Sequence, residues 1–251
     1  MRNASLFVGL IFMRNFITAI ILCSSFMLLD CSSSPVKQVI TIETKKGNSG
    51  NTYTFIHKNK CRIAFRITRP DKKDTSLFLC IPGAFTQLSD YSIDGLYICN
   101  GKTGNRDRVN HSIGGAVRIM DGEAMIFPTS KGTLLTDSLI HFIEEKNGSL
   151  FQQIQMIVNG EPAKFVDKKL FQRRGIGTLN NGETVIAESV GAITLKTFAD
   201  DLAGMGVKEL LYTDMGAWDE GWYRDANGRI VTMGYDRSQT DKQSNWVILY
   251  R

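Results

Sequence analysis

Short apolar runs in this chain break repeatedly at Asn-Gly or Asp-Gly, among them Asn100-Gly101, Asp121-Gly122, Asn159-Gly160, Asn181-Gly182 and Asn227-Gly228. Both residues of such a pair tolerate the positive φ of a tight two-residue turn, so each pair is read as the tip of an antiparallel connection and argues against a helix across it. The flanking runs alternate or are uniformly apolar over strand-like lengths. Strands are expected at Gln38–Glu43, Tyr53–His57, Arg62–Thr68, Ser76–Ile81, Gly95–Cys99, Ala116–Met120, Ala124–Phe127, Gln155–Val158, Gly175–Thr178, Thr184–Ala187, Glu209–Tyr212, Ile230–Met233 and Trp246–Tyr250.

Two stretches follow the helical period instead. From Thr194 to Ala203, Leu195, Phe198, Ala199 and Leu202 share one face; Thr194 can cap the start, and Gly204 and Gly206 can stop the end. From Leu134 to Lys146, Leu135, Leu139, Phe142 and Ile143 share a face that ends at Asn147-Gly148. Many strands with a few helices among them make the expected class α+β, with mixed or antiparallel sheets.

The N-terminus has a different character. Arg2 and Arg14 each precede an apolar run, and the second run, Phe16 to Leu29, stops at Asp30-Cys31 before the polar tether Ser32-Ser33-Ser34-Pro35. That run is shorter than the roughly 20 apolar residues of a membrane-spanning helix, and the layout is that of a secretory signal. Leu28-Leu29-Asp30-Cys31 resembles a lipobox, with Asp30 where a small residue is usual and Cys31 as the lipid acceptor; plain secretion or modification at Cys23 are the other readings. The expectation is a signal segment over 1–31, a tether over 32–37 and one domain over 38–251, exported and held by a lipid anchor in the bacterial periplasm or outer membrane.

A chain that is 43% hydrophobic and 22% charged can bury a core of one-domain size. The net charge of +5 is small and its basic residues are interleaved with acids, so nucleic acid is not an expected partner. Cys61, Cys80 and Cys99 form no CxxC pair; either one disulfide or three small buried side chains fits them. With His57, His111 and His141 as the only histidines, neither a His-based triad nor a metal site is expected, and no cofactor is implied.

The stretch from Arg173 to Trp218 carries more. It runs Arg173-Arg174-Gly175-Ile176-Gly177, the turn Asn181-Gly182, the strand Thr184 to Ser189, a helix from Thr194, the turn Met205-Gly206-Val207 and Leu211-Tyr212-Thr213-Asp214-Met215-Gly216. This order resembles the phosphodiester glycosidase family. Ile93 to Lys102 is similar to that family's Gly-Leu-Tyr strand and Asn-Gly turn, Pro82-Gly83-Ala84-Phe85 to its Asn-Gly-Gly-x-Phe, and Gln152 to Glu161 to its Gln-x-Gly-Pro and following strand. The sequence departs from the pattern at Ile81 in place of Asn, at Ile154-Gln155 in place of Gly-Pro, and at Met215 in place of Gly.

The resemblance implies hydrolysis of a sugar-1-phosphodiester in the cell envelope, on a glycan or sugar-phosphate substrate. Such chemistry calls for carboxyl groups and a grip on phosphate. Asp214 and Glu188, at the ends of two strands linked by a helix, are the expected catalytic carboxylates, and Arg173 the phosphate clamp. Gly83, Phe85, Gln152, Gly216 and His111 are expected to contact substrate; Trp218 and Trp222 to stack on a sugar ring; Asp219 and Glu220 to bond its hydroxyls. Each has a plainer alternative: Asp214 as a turn cap, Arg173 paired with Asp167 or Glu161, Trp218 to Tyr223 as a lid on the core, His111 as a loop residue. The three departures also admit a non-catalytic carbohydrate-binding or envelope protein on the same fold.

Overall fold

The computed structural model describes Val39–Arg251, which form one compact unit. The expected signal segment, Cys31 and the tether lie outside the described residues.

Three sheets and two helices build the unit. The largest sheet runs, in spatial order, β1 (Thr41–Lys46), β2 (Thr52–His57), β13 (Thr184–Ser189), β12 (Arg174–Leu179), β14 (Val207–Tyr212), β10 (Gln155–Val158) and β11 (Glu161–Pro162). The second runs β16 (Ile230–Thr232), β15 (Trp222–Arg224), β4 (Leu77–Pro82), β17 (Trp246–Tyr250) and β3 (Arg62–Arg66). The third runs β6 (Lys102–Gly104), β5 (Tyr97–Cys99), β9 (Ser149–Gln153), β7 (Gly115–Met120) and β8 (Glu123–Pro128). Every strand pair is antiparallel. The α+β class expected from the turn dipeptides is the class observed.

Those dipeptides explain much of the register. In Asn100-Gly101, Asp121-Gly122 and Asn159-Gly160 both residues have positive φ, from 49° to 83°, and each pair joins two consecutive strands directly. That is the mirror-image turn whose twist matches a hairpin. At Asn181-Gly182 only the glycine is left-handed, and the Asn181 side chain instead accepts the Glu183 amide at 3.0 Å.

One cluster of apolar side chains is common to all three sheets. Ile56, Ile176, Ile186 and Leu211 come from the first, Ile63, Phe65, Leu79, Ile81, Val247 and Leu249 from the second, and Val117, Ile119, Ile126 and Phe151 from the third. The opposite face of the first sheet packs Tyr53, Phe55, Val185, Ala187 and Leu210 on helix α2 (Leu195–Gly204) through Phe198, Ala199 and Leu202. Helix α1 (Asp137–Glu145) covers the third sheet with Ile140 and Ile143. Thr194 caps α2 as its sequence predicts, accepting the Thr197 amide, whereas α1 starts at Asp137 because Thr136 caps it there.

The structure departs from the sequence reading at particular places. The first strand sits at Thr41–Lys46 rather than from Gln38; as an edge strand pairing only β2, it accommodates Lys45 and Lys46. β9 was hidden by Gln152 and Gln153, which are polar yet wholly buried because their amides bond backbone groups. Trp222–Arg224, absent from the expected strands, form the strand β15, pairing Trp222 with Cys80 and Tyr223 with Leu79. Cys61, Cys80 and Cys99 are buried, and among the described residues they form no disulfide, so they pack as the small buried side chains that were one of the two readings of them.

Candidate functional site

The strand ends of β12, β13 and β14 come together beside a pocket of about 480 Å³. Period-two alternation sends the adjacent arginines at the start of β12 in opposite directions. Arg174 is fully buried. Its Nε donates to Glu188 Oε2 at 2.6 Å, its Nη2 also reaches Glu188, and its Nη1 and Nη2 donate to Asp219 Oδ1 and Oδ2 at 2.9 and 2.8 Å. Burial pulls the Arg174 pKa down, but the charges of Asp219 and Glu188 outweigh it and the net shift is upward. Glycines make room for this cluster. A Cβ on Gly221 would sit 2.9 Å from Arg174 Nη2, and one on Gly234, at φ +81°, would collide with the Asp219 carboxylate.

Arg173 has no such partner. Its guanidinium is nearly as buried, yet it donates to uncharged oxygens: Ile193 O at 3.2 Å, Lys169 O at 3.0 Å and the Tyr212 hydroxyl at 3.3 Å. Among the described residues the carboxylate within ion-pair reach of it is Asp167, at 4.0 Å and partly exposed. The guanidinium carbon also stands over the Phe171 and Tyr212 rings, 5.1 and 5.9 Å from their centroids. Arg173 forms part of the pocket wall with Phe85, Phe171, Tyr212, Met215 and Tyr235.

Asp214 follows β14 and is 2% exposed. Its Oδ2 accepts the Trp218 indole N–H at 2.8 Å and the Thr86 amide at 3.0 Å, while its own amide donates to Gly83 O at 3.0 Å. Burial pushes the carboxyl up to about 7, against the downward pull of those hydrogen bonds. Both donors converge on Oδ2, leaving Oδ1 as the oxygen to carry the proton. Asp214 and Thr86 do not line the pocket themselves; their chain neighbours Met215 and Phe85 do.

The remaining expected site residues are dispersed. Phe85, Gly216 and Asp219 line the pocket with Arg173. Glu188 does not; besides Arg174 it accepts from Gln172 at 3.0 Å, so both oxygens are engaged. Gln152 bonds the amides of Leu96 and Asn110 and the Asn110 carbonyl, which makes it a loop anchor. Gly83 is pinned beside Asn245, whose amide holds both backbone groups of Ala84 at 2.8 and 3.0 Å. Trp218 bonds Asp214, Trp222 is in the second sheet, and Glu220 faces Arg69 and Lys72 at 3.4 and 3.3 Å. His111 is exposed and contacts the Lys131 carbonyl at 2.7 Å. Sequence reasoning missed Arg174, and part of the signal was available: two adjacent arginines entering a strand must face opposite ways, and Arg174 is the one in register with Glu188. It also missed Tyr212 and Tyr235, which nothing in the local pattern marks.

No protein-family model matches the chain, and no curated protein matches it in sequence. Solved structures do. The catalytic domain of zebrafish N-acetylglucosamine-1-phosphodiester alpha-N-acetylglucosaminidase, auto-inhibited by its pro-peptide, superposes with a TM-score of 0.57 at 14% identity, over 88% of this chain and 85% of that one. A hypothetical protein from Synechocystis gives 0.55 at 12% identity, over 84% of this chain and 62% of that one. The likeness is one of fold.

Proposed function

We propose that the pocket binds a sugar-1-phosphodiester with its phosphate against Arg173 and hydrolyses it. The observation that carries this is the Arg173 guanidinium, a buried cation whose hydrogen bonds all go to uncharged oxygens and whose nearest ion-pair partner, the partly exposed Asp167, stands 4.0 Å away, in a mostly apolar wall that also holds Asp219 and Asp236. A buried charge with only a distant, partly solvated counter-ion is costly, and an anionic ligand relieves that cost. The aromatic wall suits a sugar face, and the fold shared with a phosphodiester glycosidase domain supports the same substrate class.

In this reading the bond between anomeric carbon and phosphate oxygen breaks with its electron pair passing to the oxygen. Phosphate is a good enough leaving group to depart as the anion, and the buried Asp214, outside the pocket lining, positions the wall through Trp218 and Thr86. Water adds to the anomeric carbon, and the proton it loses goes to solvent. Arg173 stabilises the phosphate charge, and Glu188 acts only by fixing Arg174.

A second reading has its own observation. With Glu188 engaged and the Met215 side chain in the wall where the resembled family has glycine, the pocket is also that of a protein that binds the sugar phosphate without turning it over. Release of sugar from a panel of sugar-1-phosphodiesters separates the two. Turnover that Arg173→Ala abolishes while the variant melts cooperatively supports hydrolysis; binding of the panel without turnover supports the second reading; neither binding nor turnover removes both.

A further inference from the structure

We propose that the segment from Ala163 to Phe171 seats the mouth of the pocket against an anionic lipid surface. The segment follows β11 and has no regular structure. Its ends are fixed: the Ala163 amide donates to Met156 O, Phe171 exchanges both backbone bonds with Ile193, and the Lys169 carbonyl accepts from Arg173. Phe165 turns inward against the core under α2. What lies between the anchors is unusual for a surface loop.

Val166 is 95% exposed, Leu170 63% and Phe171 55%, and Tyr235 at the same pocket rim is 65% exposed. Single exposed apolar residues need no explanation, but Leu170, Phe171 and Tyr235 at one pocket, with Val166 a few residues along the same segment, do. Interleaved with them along the segment are Lys164, Lys168 and Lys169, all exposed, against one acid, Asp167, while the exposed Asp236 stands beside Tyr235 at the rim. Asp167 is turned back onto the loop, accepting the Lys169 amide at 2.9 Å. Apolar side chains flanked by solvent-facing lysines fit the headgroup boundary of an anionic bilayer, where the apolar groups enter and the ammonium groups meet phosphate. The charge selects this occupant over a second copy of the chain, whose matching loop would bring the same lysines face to face. Leu170 and Phe171 belong to both the loop and the pocket wall, so a docked loop places the opening at the lipid surface and points to a ligand whose anionic head is carried on a lipid. The docking itself does not depend on hydrolysis in the pocket.

The test uses residues 39–251, the compact unit with its own shared core, and phosphatidylcholine vesicles with and without phosphatidylglycerol in a flotation assay. The expected result is binding that requires phosphatidylglycerol, weakens with added salt, and falls at least tenfold in Val166→Asp and in the triple variant Lys164→Glu, Lys168→Glu, Lys169→Glu. Val166 lies outside the pocket wall, so Val166→Asp leaves affinity for a water-soluble sugar phosphate unchanged; loss of that affinity would show damage to the pocket rather than to the docking surface. Absence of binding by the unaltered protein overturns the proposal, as does binding indifferent to phosphatidylglycerol or to both variants. Concentration-dependent dimerisation abolished by Val166→Asp, without vesicle binding, overturns it in favour of self-association.

Discussion

Arg174 and Asp219 face each other through two parallel hydrogen bonds, Nη1 to Oδ1 at 2.9 Å and Nη2 to Oδ2 at 2.8 Å, with neither group open to solvent. This fork ties the segment after β14 to the middle of the largest sheet, and Glu188 completes the charge on the strand beside it. Two carboxylates on one guanidinium make the arginine the member whose loss costs most.

Arg174→Met is therefore expected to destabilise the protein by about 3–5 kcal/mol, because two buried carboxylates lose their common counter-ion. In a domain of this size that lowers the melting temperature by roughly 10 °C or more, read by calorimetry. A loss below about 1 kcal/mol would mean that the carboxylates find protons or water without rearrangement.

Gly234→Ala and Gly228→Ala form a matched pair. Both glycines are left-handed, at φ +81° and +76°, but a Cβ at Gly228 meets nothing within 4 Å whereas one at Gly234 strikes the Asp219 carboxylate. Gly228→Ala is expected to cost about 1–2 kcal/mol from backbone strain alone. Gly234→Ala should cost clearly more by urea denaturation, and equal losses would show that Asp219 moves aside freely.

Asp214 makes a prediction about pH with a definite sign. Its folded pKa of about 7 stands above the ordinary 3.8, so the folded state holds a proton that the unfolded chain has released. The contribution of Asp214 is thus fully present below about pH 4 and is lost as pH rises through about 7. At about 1.4 kcal/mol per pH unit, the stability of Asp214→Asn relative to the unaltered protein should climb across that window by up to roughly 4 kcal/mol and then level off. A flat difference in urea titrations from pH 4 to 8 would place the carboxyl pKa near its ordinary value.

Met215→Gly tests whether the side chain limits the pocket. Met215 contributes to the wall beside Gly216. Removing it is expected to raise affinity for a bulky sugar phosphate about tenfold by calorimetry, and to raise turnover if the hydrolytic reading holds. Unchanged affinity would mean that the ligand lies on the Phe171 side of the pocket.

The strands were legible where local rules govern them. Three of the Asn-Gly and Asp-Gly pairs set their hairpins by φ alone, and Thr194 placed a helix start to the residue. What escaped notice depended on partners distant in the chain. Gln152 and Gln153 are strand residues only because loops offer their amides bonds, and Trp222 is one because β4 supplies an open edge. The site divides in the same way. Asp214 stood out by its position after a strand, and its elevated pKa is a product of burial that the sequence does not display. Choosing between Arg173 and Arg174 required knowing which face of β12 holds the carboxylates.

The cluster around Ile56, Phe65 and Phe151 draws on every sheet. Peeling away any one of them exposes the inner faces of the other two, so no sheet can melt in isolation without carrying most of the energetic cost of melting the whole. Slowly exchanging amides should accordingly appear in all three sheets with a common opening free energy, and a protease should find few cleavable partly open states within them.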